Sequence, residues 1–187
     1  MVRSSAILKR IAIAVGVAAA VLYGVLVVIR VLYPVGYLDL VCASADEREL
    51  DPAVLCSLIR AESRFRPDAV SPRGAIGLMQ IMPETGVWIA ERMGLLGLGP
   101  QALLDPETNI RLGAWYLRYL LDRFGSLDLA LTAYHAGPTR VEGWLATGEV
   151  PFSGTRAYVE RVLHAVSIYR TALRWPLVVR ITPSIPL

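Results

Sequence analysis

The chain has 187 residues, 55% of them hydrophobic, with 19 basic and 16 acidic side chains and a pI near 9.1. That length gives one domain with a core but not two full domains, and so apolar a composition excludes a disordered chain. Arg3, Lys9, Arg10 and Arg30 precede residue 31 with no acid among them, leaving 15 basic against 16 acidic residues downstream. The folded part therefore lacks the clustered positive charge on which nucleic-acid binding depends.

The first element in the chain is apolar. Ile11 to Ile29 carries no charge, and at helical rise such a stretch covers about 30 Å, the thickness of a hydrocarbon core. Lys9 and Arg10 flank it on the N-terminal side, so the sequence predicts a transmembrane helix with its N-terminus in the cytoplasm. A cleavable signal peptide has a shorter apolar region and small residues at its cleavage site, whereas this run ends in Arg30-Val31-Leu32-Tyr33-Pro34. Everything beyond residue 31 would then lie outside the cytoplasm. There Cys42 and Cys56 either pair or remain two buried thiols. With two cysteines and two histidines, a structural zinc site is not expected.

From residue 46 the chain reads as helices, with strand alternation almost nowhere. Asp51-Pro52 is an N-cap followed by proline at the first helical position, and Val54, Leu55, Leu58 and Ile59 follow at helical spacing. Pro83 opens a helix that stops at Gly94. Asp105-Pro106 repeats the cap signal, ahead of a stripe of Ile110, Ala114, Leu117, Leu121 and Phe124 that ends at Gly125. Ser126 starts the next helix, which Gly137-Pro138 halts, and Val141 to Leu145 allows one or two short turns. A last helix runs from Thr155 to Leu173, with Tyr158, Val162, Val166 and Tyr169 on one face, before an extended tail from Trp175 to Leu187. Helix packed on helix is the expected architecture.

Glu62 breaks the pattern. It stands four residues after Leu58 and three after Ile59, on the apolar stripe, and near a helix C-terminus where a negative charge opposes the macrodipole. An apolar setting raises a carboxyl pKa, as a general acid working near neutrality requires; the bland alternative is a head group that escapes to water. A long link then runs from Phe65 to Pro83, where Gly74 and Gly77 let the backbone turn towards a ligand. Trp88, Trp115 and Trp144 offer sugar-stacking faces, but at helical spacing they read as core.

Glu62-Ser63, Ser71, Gly77-Leu78-Met79-Gln80-Ile81-Met82-Pro83 and Ala133-Tyr134-His135-Ala136-Gly137 together resemble the soluble lytic transglycosylase family. Leu104 to Ile110 and Thr155-Arg156-Ala157-Tyr158-Val159 add to the likeness, which covers roughly residues 46–169. It implies an all-α, goose-type-lysozyme-like fold and cleavage of peptidoglycan between N-acetylmuramic acid and N-acetylglucosamine, leaving 1,6-anhydro-muramic ends. By position Glu62 matches the family's catalytic acid/base. Ser71 matches a serine that hydrogen-bonds the substrate or the acid, Gln80 and Met82 match residues of the sugar subsites, and Tyr134 matches a tyrosine facing the catalytic centre.

Two positions depart from the family pattern. His135 replaces the usual Asn and counts with the substrate-binding residues, bringing a pH dependence that Asn lacks. Gly154 stands where a glutamate is common. His164 is read as structural. Most glycosidases use two carboxyl groups, and Asp68, Glu84, Asp105 and Glu107 offer themselves only by nearness in sequence. The resemblance implies instead one acid, with the substrate's N-acetyl group supplying the second function and neither metal nor cofactor involved. The alternatives are a lysozyme-like muramidase and a non-catalytic, membrane-anchored glycan-binding or assembly subunit. The expected layout is a cytoplasmic N-terminus over 1–10, an anchor over 11–30, a juxtamembrane segment over 31–45, the catalytic domain over 46–175 on the extracytoplasmic side, and a Pro-rich tail over 176–187. Glycan strands are the expected partner, nucleic acid is not, and the sequence singles out no wall-synthesis or division partner.

Overall fold

In the computed structural model the described residues are 2–95 and 97–174. Eight α-helices follow in order among them. They are α1 (Val2–Leu32), α2 (Leu38–Glu47), α3 (Pro52–Glu62), α4 (Pro83–Arg92), α5 (Pro106–Phe124), α6 (Leu127–Ala136), α7 (Pro138–Thr147) and α8 (Ser153–Arg174), with a short 3-10 helix at Pro100–Leu104. The chain divides into two compact units, Met1–Pro34 and Val35–Leu187.

The first unit corrects the sequence reading. Among the described residues no helix is long and apolar enough to cross a membrane. The transmembrane helix expected over 11–30 is therefore not supported. The single-pass, extracytoplasmic localisation inferred from it falls with it.

In the second unit the helix starts follow their signals. Asp51 accepts a hydrogen bond from the Ala53 amide at 2.8 Å, Asp105 one from Thr108 at 2.8 Å, and Ser126 one from Leu129 at 3.3 Å. Proline occupies the first turn of α3, α4, α5 and α7, where its missing amide hydrogen costs nothing. The core is built on α3, in which Leu55, Leu58 and Ile59 are fully buried, and α3 packs along α8, where Val162, Ala165 and Tyr169 are buried. Helix α5 packs on α6.

Two differences from the sequence reading have local causes. Helix α2 carries no capping side chain; it starts from Tyr37 in the left-handed region (φ 54°) and is held by buried Val41, Ser44 and Ala45. Tertiary burial, not a start signal, makes it. Helix α7 extends to ten residues because Val141 and Trp144 are buried one turn apart. Both thiols are free, Cys56 fully buried and Cys42 partly so. The expected tail over 175–187 lies outside the described residues.

Candidate active site

Glu62 is the last residue of α3 and is half-buried. Burial pushes its carboxyl up to about 7, opposed by a hydrogen bond that stabilises the ionised form. The donor is the Tyr158 hydroxyl on α8, which bonds Glu62 Oε1. Tyr158 is itself buried, and burial together with the nearby Glu62 charge holds its phenol well above the usual range. On its other side the His135 ring stacks against Tyr158, centroids 4.1 Å apart and planes 17° from parallel. Burial, then the charges of Arg161 and Arg73, push His135 below its ordinary value, so it is neutral at neutral pH. Helices α3, α6 and α8 thus each bring one side chain to a single contact chain, Glu62–Tyr158–His135.

Tyr134, next to His135, faces the same centre. Its phenol is pushed up by burial first and by the Glu62 charge second. The hydroxyl donates to the Met79 carbonyl at 2.9 Å, and the ring leans on Tyr116 with centroids 5.4 Å apart. That carbonyl belongs to the link between α3 and α4, which is ordered from beneath by Asn109. Fully buried on α5, Asn109 accepts from the Met79 amide at 2.7 Å and donates to the carbonyls of Leu103 (2.7 Å) and Ile76 (3.0 Å). Two glycines make this approach possible. Gly77 sits at φ 81°, where a Cβ would overlap Asn109 and the Leu103 carbonyl, and a Cβ at Gly113 would overlap the Met79 side chain.

The other residues named from the sequence are placed differently. Ser71 Oγ accepts from the Ala75 amide at 3.0 Å and closes a turn, with no bond to Glu62. Gln80 adopts φ 50°, and its side-chain amide donates to the carbonyls of Ala69 (3.0 Å) and Gly77 (2.9 Å). Both its donors are used inside the loop, leaving the side-chain carbonyl to meet a ligand. Met82 is exposed at the start of α4. Asp105 is occupied as a helix cap, and no second carboxylate is among the groups that shift Glu62. Trp88, Trp115, Tyr116 and Tyr119 form one aromatic cluster, and Trp88, Tyr116 and Tyr119 line a separate cleft of about 330 Å³. Trp144 is core, packed edge-on to Phe152. Among the described residues no three His, Cys, Asp or Glu side chains converge as metal ligands.

Residues 39–150 match the family described as the transglycosylase SLT domain. The chain belongs to that family. It is 38% identical over 151 residues to the soluble lytic murein transglycosylase of Escherichia coli K12, covering 74% of this chain and 23% of that protein. The transglycosylase of Enterobacteria phage PRD1 is 34% identical over 126 residues, covering 67% of this chain and 41% of the relative. Among solved structures, the SLT domain here aligns with the 70-kDa soluble lytic transglycosylase of Escherichia coli at a TM-score of 0.70 and 38% identity, over 75% of this chain and 25% of that one. An inactive mutant of the lytic transglycosylase Slt from Pseudomonas aeruginosa gives 0.74 at 35% identity, over 78% of this chain and 26% of that one. The chain thus spans about a quarter of the length of these bacterial relatives.

Tyr158 lies beyond the residues matched to the SLT domain. It was not singled out as a site residue from sequence, where it reads as one more member of the apolar face of α8. The available signal was a phenol on that stripe within Thr155-Arg156-Ala157-Tyr158-Val159. A hydroxyl buried in a helix interface needs a partner, and here the partner is the carboxyl of Glu62.

Proposed function

We propose that this chain is a peptidoglycan lytic transglycosylase in which Glu62 is the single acid/base. The observation that carries the reading is a carboxyl pushed up to about 7 by burial, without a second carboxylate acting on it. A group with that value is protonated often enough to act as an acid and ionised often enough to act as a base at neutral pH.

In the first step Glu62 donates its proton to the glycosidic oxygen as the C1–O4 bond breaks. The carbonyl oxygen of the muramic N-acetyl group closes on C1 from the opposite side, so the substrate supplies what a second carboxylate supplies elsewhere. In the second step the sugar's 6-hydroxyl oxygen attacks C1, the N-acetyl oxygen leaves, and the hydroxyl proton passes to Glu62. The ring closes to the 1,6-anhydro product, Glu62 regains its proton, and no water is consumed. Tyr158 holds the carboxylate after the first transfer. The Gln80 carbonyl offers an acceptor for an N-acetyl amide hydrogen, Met82 an apolar contact, and Tyr134 the wall facing the reacting sugar, while Ser71 holds the loop between them.

Mass analysis of muropeptides released from purified peptidoglycan tests the reading. The wild type should yield anhydro-muramic ends and Glu62→Gln none. Exclusively reducing ends would show hydrolysis instead, and undiminished cleavage by Glu62→Gln would show that another group is the acid.

A further inference from the structure

Immediately after Glu62 the backbone does something unusual. Arg64 and Phe65 both lie in the left-handed region, at φ 56° and 64°. For a bulky residue such as Phe that conformation is costly and persists only where the surroundings fix it. Phe65 is fixed: its side chain is 6% exposed and packs against Gly36. The strained turn swings the chain around the end of α3 and leaves a cleft of about 310 Å³ lined by Ala61, Glu62, Ser63, Arg64 and Arg66.

Two of those five residues are arginines. Arg66 donates through Nε to the Ser63 carbonyl at 3.2 Å, which anchors its guanidinium and leaves its other donors available. Neither Arg64 nor Arg66 has an ion-pair partner among the described residues. The negative end of the α3 dipole accounts for a preference for cations near this terminus. It does not account for a cleft, or for a strained turn pinned by a buried ring. Guanidinium groups match carboxylates through paired donors, and the only carboxyl on the cleft wall belongs to Glu62.

We propose that the Arg64–Arg66 cleft is a carboxylate-binding site for the muramyl residue undergoing cleavage, an inference that rests on the transglycosylase reading above. A muramyl residue carries a lactyl group whose carboxylate is either free or amide-linked to a peptide with carboxylates of its own. Both sources present the same chemistry beside the scissile bond. The cleft therefore selects strands by the charge carried on that substituent, and the sugar contacts made by Gln80, Met82 and Tyr134 are neutral to it.

The test uses purified strands in three forms. One keeps its stem peptides, one is stripped by an amidase to leave free lactyl carboxylates, and the third is either of these with its carboxylates coupled to methylamine. The wild type should show a KM about tenfold lower for a charged preparation than for its neutral counterpart, as expected for a hydrogen-bonded charge. Which charged preparation shows the difference identifies the source. Arg64→Asn, a residue that tolerates the left-handed region, combined with Arg66→Gln should bring the charged and neutral KM values together. Equal KM values for charged and neutral strands in the wild type overturn the proposal, as does discrimination that survives in the double variant. Cleavage of no preparation at all overturns the transglycosylase reading and this one with it.

Discussion

Replacing Glu62 by Gln keeps shape and hydrogen-bonding capacity, since the Gln carbonyl can still accept from Tyr158, but removes the titration. The consequence for stability follows from linkage. The Glu62 carboxyl moves from an ordinary 4.5 to about 7 on folding. Between those values the folded protein keeps a proton that the unfolded chain has lost, so stability contributed at this position falls as pH rises through the window. Below about pH 4 the two proteins should differ by a constant. Above pH 7 the wild type should have lost at most about 3 kcal/mol relative to Glu62→Gln, less what solvent at the cleft mouth screens, the figure being the shift in the carboxyl pKa converted to free energy. Urea unfolding of both proteins at half-unit intervals from pH 4 to pH 8 measures it, because the difference between the two curves cancels every other titrating group. A difference that stays flat across the window, or that runs the other way, would refute the account of Glu62 as a carboxyl raised by burial. If Glu62 is the acid proposed above, the same substitution should remove activity while adding stability above pH 7.

Tyr158→Phe removes the hydroxyl that lowers the Glu62 carboxyl while keeping the ring beneath His135. The pKa of Glu62 should rise, and the alkaline limb of the pH–rate profile should move to higher pH with a reduced maximal rate; an unmoved limb would mean that the phenol only fills space. Gly113→Ala places a methyl group against the Met79 side chain. Overpacking of this kind costs about 1–3 kcal/mol, read as a fall in Tm; an unchanged Tm would show that the loop does not bear on α5 as tightly as described.

What could be read from the sequence was whatever depends on neighbours along the chain. Asp51-Pro52, Asp105-Pro106 and Ser126 each mark a helix start because a cap acts on amides two or three residues away. Glu62 was visible for the same kind of reason, since its place on the stripe follows from the positions of Leu58 and Ile59 in the same helix. Helix α2 was not, because Tyr37 offers no capping oxygen and the helix is held by what packs on it. The partners that Ser71 and Gln80 have within their own loop were hidden for a related reason. Both residue types suit a sugar, but the turn they sit in uses the Ser71 oxygen and both Gln80 donors to satisfy its own backbone. Nothing in a residue's identity says how much of its hydrogen-bonding capacity the loop will take. For the apolar run of residues 11–29, composition met the length rule for a membrane span, and among the described residues no helix does.

The loop and the acid are connected by physical demands that pull in the same direction. A carboxyl at about 7 requires removal from water, and at the end of a helix that removal has to come from other elements. Helix α8 supplies Tyr158, which bonds the carboxyl, and α6 supplies Tyr134, whose phenol feels the Glu62 charge, and His135, which stacks on Tyr158. Tyr134 then ties α6 to the loop through the Met79 carbonyl, and Asn109 ties the loop to α5. A substitution at Asn109 or Gly113, on α5 and far along the chain, should therefore reach Glu62 through Met79 and Tyr134 by loosening the packing that keeps water from the carboxyl. Loss of that packing lowers the Glu62 pKa towards 4.5 and weakens it as an acid at neutral pH without touching the carboxylate itself. The position of the alkaline limb in such variants separates this route from simple unfolding, which reduces the amount of active protein and leaves the limb where it was.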